Sequence, residues 1–113
     1  LFGADLPYLA LTELIRGPKP GSDLRAVLPR ETTLNGVKIR GGVAYADFGS
    51  GLTRLNVGSE GEAMVVAAIV NTLTQFPGVN KVQILINGTR VESLAGHVDV
   101  SVPVSRNESV VSR

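Results

Sequence analysis

Residues 59–86, SEGEAMVVAAIVNTLTQFPGVNKVQILI, join a helical stripe of apolar residues to an alternating strand through a single Pro-Gly pair. Val66, Ile69, Val70, Leu73 and Phe76 recur three or four residues apart, so a helix from about Glu60 to Gln75 carries them along one face. Pro77 and Gly78 end that helix, and after Lys81 the run VQILI sets Val82, Ile84 and Ile86 against Gln83 and Leu85 as a half-buried strand does. A helix that hands the chain so directly to a strand must lie on the sheet which that strand joins, because both need the same apolar layer. Burial of the five stripe residues contributes about 8–15 kcal/mol before chain entropy is subtracted. This helix is therefore the expected centre of the fold. Ser59 and Glu62 fit the capping box S-x-x-E, in which hydroxyl and carboxylate satisfy free amides at a helix start.

A second local signal is TLNGVKIR, then Gly41-Gly42, then VAYADF, which reads as two strands joined by a two-residue turn. With Arg40 opposite Val43, Ile39 faces Ala44, Val37 faces Ala46 and Asn35 faces Phe48 on the expected core side. The two alanines leave room for a helix to approach. Lys38 faces Tyr45 and Gly36 faces Asp47 on the other side, which with Arg40 reads as solvated.

Asp5 caps a first helix in which Leu6, Leu9 or Ala10, Leu11 and Leu14 recur at helical spacing, with Pro7 in the first turn and Gly17-Pro18 as the stop. Residues 17–33 carry three prolines and two glycines and read as a connection, pinned by Leu24, Val27 and Leu28, with one short turn over Ser22 to Val27. Asn87-Gly88 signals a hairpin that returns through TRVESL. VDVSVPV then alternates Val98, Val100, Val102 and Val104 on one side, and Pro103 confines it to a sheet edge. The order helix, strand, strand, helix, strand predicts an α+β two-layer sandwich, with two helices on one face of a small mixed sheet of three to four strands. One domain over residues 1–106 and a polar tail over 107–113 are expected. Because the chain begins with Leu1, it reads as a fragment from which any targeting segment was removed.

The chain is too short for two ordinary domains, and with 43% hydrophobic residues but only three Phe, two Tyr and no Trp its core must be built from aliphatic side chains. A formal charge of +1 recruits neither nucleic acid nor an anionic membrane, and AMVVAAIV falls far short of the roughly 20 apolar residues that cross a bilayer. Absence of cysteine removes disulfides, thiolate catalysis and the usual structural zinc sites.

Each remaining motif has a structural reading that outweighs the chemical one. The triplet Asp47-Phe48-Gly49 has the letters of a kinase metal-binding motif, but there is no room for the other kinase elements. The VGSEGE turn opens a helix, where Glu60 and Glu62 would repel a phosphate. His97, the single histidine, has neither a second His nor a Cys to complete a metal site or triad. Serines 50, 59, 93, 101 and 105 lie outside any nucleophile-elbow setting. Asp47 and Asp99 form at most a carboxylate pair that spacing cannot establish, and a strand-end Asp usually bonds a turn amide. A basic GXXG loop and a row of exposed sheet aromatics are both missing, so RNA binding is not expected. N-G-T at Asn87 and N-E-S at Asn107 match the glycosylation acceptor, a tripeptide common by chance.

GPKP, the Pro29 region, GGVAYADF, VGSEGEAMVVAAIVNTLTQFPGVNKVQILING and GHVDVSVPVSRN together resemble the sporulation and spore germination domain family, the GerMN domain. The resemblance runs from ELIRGP at the end of helix one to the GHVDVS segment, and TLTQFPGVNKVQILING is its most specific part. It implies an extracytoplasmic bacterial module, membrane-anchored or wall-associated in the full-length protein, often carried by lipoproteins or set beside cell-wall enzymes. It is also similar to the ring-building motifs of sporulation channel proteins, which share the plan and assemble side by side. The resemblance brings no catalytic residue and no cofactor, and implies a structural role with protein partners or self-association in the envelope. The alternative is a peptidoglycan- or carbohydrate-binding module, motivated by the solvated face with Lys38, Arg40, Tyr45 and Asp47. Thr72 and Gln75 either add a polar contact surface or bond backbone groups at the helix end.

Overall fold

The computed structural model describes residues 6–16, 28–29, 31–54 and 58–106. In chain order the elements are α1 (Leu6–Arg16), β1 (Leu34–Arg40), β2 (Val43–Phe48), a 3-10 turn (Ser50–Arg54), α2 (Ser59–Thr74), β3 (Lys81–Ile86), β4 (Thr89–Arg90) and β5 (Val104–Ser105). This is the expected α+β plan, with a five-stranded mixed sheet in place of three to four strands. Asp5, Gly17-Pro18, Leu24, Val27, the Ser22–Val27 turn, Asn107 and the 107–113 tail lie outside the described residues.

The sheet runs β1-β2-β3-β4, and β5 also pairs with β3. β1 and β2 form an antiparallel hairpin, whereas β2 and β3 are parallel, with Ala44 opposite Val82, Ala46 opposite Ile84 and Phe48 opposite Ile86. Parallel neighbours need a crossover, and α2 supplies it. Ala44, Ala46, Phe48, Val82 and Ile84 are fully buried together with Val66, Ile69, Val70 and Leu73 of α2 and Leu11 of α1, which makes the aliphatic core that the composition required.

The hairpin register agrees with the sequence-based pairing from Arg40 opposite Val43 to Gly36 opposite Asp47, but not at its far end. A bulge between Leu34 and Gly36 puts Leu34, not Asn35, opposite Phe48. One extra residue in the strand lets an apolar side chain take the inward position and leaves Asn35 exposed. Ile39, expected on the core side, is 47% exposed because it sits near the end of an edge strand with a neighbour on one side only.

The handover from α2 to β3 is a tight turn. The Val79 amide donates to the Phe76 carbonyl at 3.1 Å, and Gly78 has φ +87°, so Pro77 and Gly78 occupy the two positions of a type II turn that favour those residues. Phe76 is half-buried against the core and Val79 is buried. The amides of Asn80 and Lys81 then donate to the Gly42 carbonyl at 2.8 and 3.2 Å, which fixes the entry of β3 beside the hairpin tip. The triplet with kinase letters has a packing explanation, because Phe48 is fully buried in the core and a Cβ on Gly49 would run into the Thr33 hydroxyl.

The C-terminal third departs most from expectation. TRVESL contributes only Thr89–Arg90 to the sheet, and VDVSVPV only its last residue, Val104, which opens β5. Val100 is fully buried but Val102 is 53% exposed, so the valine alternation does not mark a strand. Asp99 accepts bonds from the Ser101 amide at 2.9 Å and the Ser101 hydroxyl at 2.6 Å, a local turn that breaks extended pairing.

Candidate functional site

Two surfaces collect the side chains capable of recognition, and they are built in different ways. The first is the outer face of the sheet, opposite the helices. Strand alternation and register put Lys38 and Arg40 of β1, Val43, Tyr45 and Asp47 of β2, Lys81, Gln83 and Leu85 of β3 and Arg90 of β4 on this side, with Gln83, opposite Tyr45, fully buried and bonded to the Val100 carbonyl. Lys38, Arg40, Tyr45 and Leu85 line a hollow of about 220 Å³. Of the sequence-predicted surface residues, Lys38, Arg40 and Tyr45 are thus brought together. Asp47 lies one row away and is half-buried, its Oδ1 accepting the Gly88 amide of the Asn87-Gly88 turn at 2.7 Å. It serves the turn, as a strand-end Asp commonly does.

Thr72 and Gln75 lie on α2, in the helix layer, so they do not share a surface with the sheet-face residues. The polar contacts at that helix end are made by a neighbour. Thr74 Oγ1 donates to the Val70 carbonyl at 2.7 Å and accepts from Arg106 Nη2 at 3.0 Å, while Nη2 also donates to the Asn71 carbonyl at 3.2 Å. Missing from the sequence reading of the outer face were Lys81, Leu85 and Arg90. Alternation from Lys81 through VQILI could have placed Lys81 and Leu85 on one side, but only the parallel β2–β3 pairing sets them opposite Val43 and Asp47, the neighbours of Tyr45 on this face.

The second surface is the segment 91–103, where Glu92, Ser93, Gly96, His97, Val98, Asp99 and Ser101 line a hollow of about 380 Å³. Its framework is a buried polar latch. Glu62, fully buried on α2, accepts amide bonds from Leu94 and Ala95 on Oε2 at 2.9 and 3.0 Å and from His97 on Oε1 at 2.8 Å. The capping-box expectation is corrected here: the N-cap is Gly58, which makes no side-chain cap bond, and Glu62 points instead to this loop. Satisfying three loop amides inside the protein outweighs satisfying one at an exposed helix start. Gln83, expected on a solvated side, is likewise fully buried. Its Nε2 donates to the carbonyls of Ile84 and Val100 at 3.1 and 3.0 Å, filling the stretch of the β3 edge between β4 and β5.

The bonds from Ser101 hold the exposed Asp99 carboxyl below the usual carboxylate range. His97 and Asp99 therefore share a hollow, while Asp47 is bound to the turn at Gly88, and the carboxylate pair is not assembled there. Among the described residues no group of His, Asp and Glu could hold a metal ion, and no helix is long and apolar enough to cross a membrane.

Comparison with known proteins fits this architecture. Residues 3–92 match the family model described as Germane, sporulation and spore germination. The spore germination protein GerM of Bacillus subtilis (strain 168) is 35% identical over 107 residues, which cover 89% of this chain and 28% of GerM. The first GerMN domain of that protein superposes with a TM-score of 0.74 at 33% identity, covering 95% of this chain and 83% of that domain structure. A Clostridium perfringens protein assigned as a lipoprotein candidate superposes with a TM-score of 0.86 at 29% identity, covering 92% of this chain and 69% of that one. The chain belongs to the sporulation and spore germination (GerMN) domain family, and it spans less than a third of the length of the GerM protein that it matches. The family match stops at residue 92, whereas Glu62 and β5 tie the chain into the same fold as far as residue 105.

Proposed function

We propose that this GerMN domain is a non-catalytic interaction module of a bacterial envelope protein of the sporulation and germination type, and that it contacts protein partners or further copies of itself. The observation that carries this reading is where the carboxyl groups go. Asp47, Glu62 and Asp99 each accept backbone amides of a turn or loop, which leaves a well-braced scaffold whose acids serve architecture. Kinship with a spore germination protein and with a lipoprotein candidate supports placement in the envelope.

The sheet edge is poorly suited to pairing with another chain. β1 carries a bulge and the exposed cations Lys38 and Arg40, devices that blunt an edge. The helix layer is the better contact surface. Leu6 and Leu9, three residues apart on one face of α1, are each about half exposed, and Met64 of α2 is 64% exposed. Sedimentation velocity over a concentration series, combined with a photo-crosslinking residue at Leu9 or Met64 in sporulating cells, tests the reading. Concentration-dependent association, or a defined protein adduct at these sites and not at Asn35, is the expected result. A monomer at every concentration with no adduct at either site would reject it.

A further inference from the structure

The outer sheet face carries a charge that the whole-chain balance conceals. Lys38, Arg40, Lys81 and Arg90 share this face with Asp47, the one carboxyl group among the residues of β1 to β4. Asp47 is already engaged with the Gly88 amide. Among the described residues the ion pair is Arg16 with Glu13 on α1, and none involves these four cations. The chain as a whole is only +1, so positive charge has been gathered here. It also has a concave centre, because the hollow of about 220 Å³ is lined by two of the cations, the Tyr45 ring and Leu85.

We infer that this face binds an acidic glycan, a saccharide polymer bearing carboxylate or phosphate groups. The hollow is smaller than a typical drug-sized pocket of roughly 300–1,000 Å³ and suits one ring at a time. A sugar ring lies with its C–H face on Tyr45 and against Leu85, while its acidic group meets Lys38 and Arg40. Lys81, in the row of Arg40 and Val43, and Arg90, in the row of Asp47 and Leu85, stand at opposite ends of this face, with the row of the buried Gln83 between them. There they meet acidic groups on units to either side. The backbone beneath is a hydrogen-bonded sheet, so the arrangement is preorganised and little ordering is needed on binding. Nucleic acid fits less well, since strand binding uses several aromatic platforms and this face has one ring. A protein partner fits less well too, because interface cores are depleted of Lys. The inference takes only the envelope setting from the interaction reading, and it uses the opposite side of the sheet.

Retention of the purified domain on bacterial sacculi tests it, using native sacculi, sacculi stripped of phosphodiester polymers with hydrofluoric acid, poly-glutamate and single-stranded DNA as probes. Binding to native sacculi that weakens with salt is expected, and Tyr45→Ala and the pair Lys38→Ala with Arg40→Ala are each expected to weaken it by about tenfold. Met64→Ala on the helix layer is expected to bind as the unaltered domain does, and near-unchanged thermal unfolding of the sheet-face variants would show that they remain folded. Loss of retention on stripped sacculi assigns the acid to phosphate, and its persistence assigns it to carboxylate. No retention at low salt, retention unaffected by the sheet-face variants, or equal binding to poly-glutamate or DNA would overturn the inference. Each of those outcomes is independent of whether the helix layer associates with a protein.

Discussion

The β2–α2–β3 unit and the segment 91–103 are both ordered around α2, yet they are held by opposite kinds of force. In the first, Val66, Ile69, Val70 and Leu73 lie over Ala44, Ala46, Val82 and Ile84, all fully buried, and the apolar contact is spread over many atoms with no single essential bond. In the second, two polar side chains do the positioning: Glu62 gathers three amides, and Gln83 takes the Val100 carbonyl. Distributed burial tolerates small errors. Directed bonds do not, so the loop behind the His97 hollow depends on two residues more than 10 positions from the groups they bind.

That contrast can be broken most decisively in the core. Leu73→Ala is expected to cost about 2–5 kcal/mol by removing transfer energy and leaving a cavity, and to speed amide exchange throughout the sheet. Urea unfolding with exchange mapping measures both. Glu62→Gln is expected to cost about 2–4 kcal/mol, since the amide keeps one acceptor oxygen and turns an N–H₂ group toward loop donors. Its exchange signature should be confined to Leu94, Ala95 and His97. If instead it accelerates exchange as broadly as Leu73→Ala, the loop is not a separate unit and the contrast fails.

Gly78→Ala sharpens the comparison from the other end. It puts a side chain at φ +87°, with an expected cost of about 1–2 kcal/mol and without loss of any contact, because a Cβ there would meet no neighbouring atom within 4 Å. Thermal unfolding checks it.

The smallest effect is at Asp99. Its folded pKa lies below its ordinary value of 3.8, so the unfolded chain binds the proton more readily. The Ser101 bonds therefore add stability at neutral pH that is lost as pH falls through that value and the depressed one beneath it. Ser101→Ala should flatten this acid dependence, read from the chemical shift of the residue 101 amide between pH 5 and pH 2.

Much of this domain is legible in its sequence because much of it is periodic. The α2 stripe, the Gly41-Gly42 hairpin with most of its register, the Pro77-Gly78 turn and the Asn87-Gly88 turn all follow from spacing or from residues that accept particular backbone angles. The same reasoning placed Lys38, Arg40 and Tyr45 on one face. It failed where a residue's partner is remote. Glu62 looked like a cap because Ser59 stands three residues before it, and nothing nearby announces the amides 32 to 35 residues further on. Valines 98 to 104 alternate as a strand would, but the neighbouring edge of β3 is occupied elsewhere by β4 and bridged by Gln83. Lys81 and Arg90 joined the outer face only through strand order.

As far as the Asn87-Gly88 turn, the sequence determined which stretches are helix, strand or turn and, Ile39 and Gln83 apart, which side of each is apolar, since these depend on local angles and on hydrophobic period. Only the tertiary structure decided that β2 and β3 run parallel, that Glu62 holds the loop behind His97, and that four cations from three strands share a face. Those outcomes depend on which remote groups come into contact, and contact between distant residues is a property of the assembled chain that no local pattern encodes.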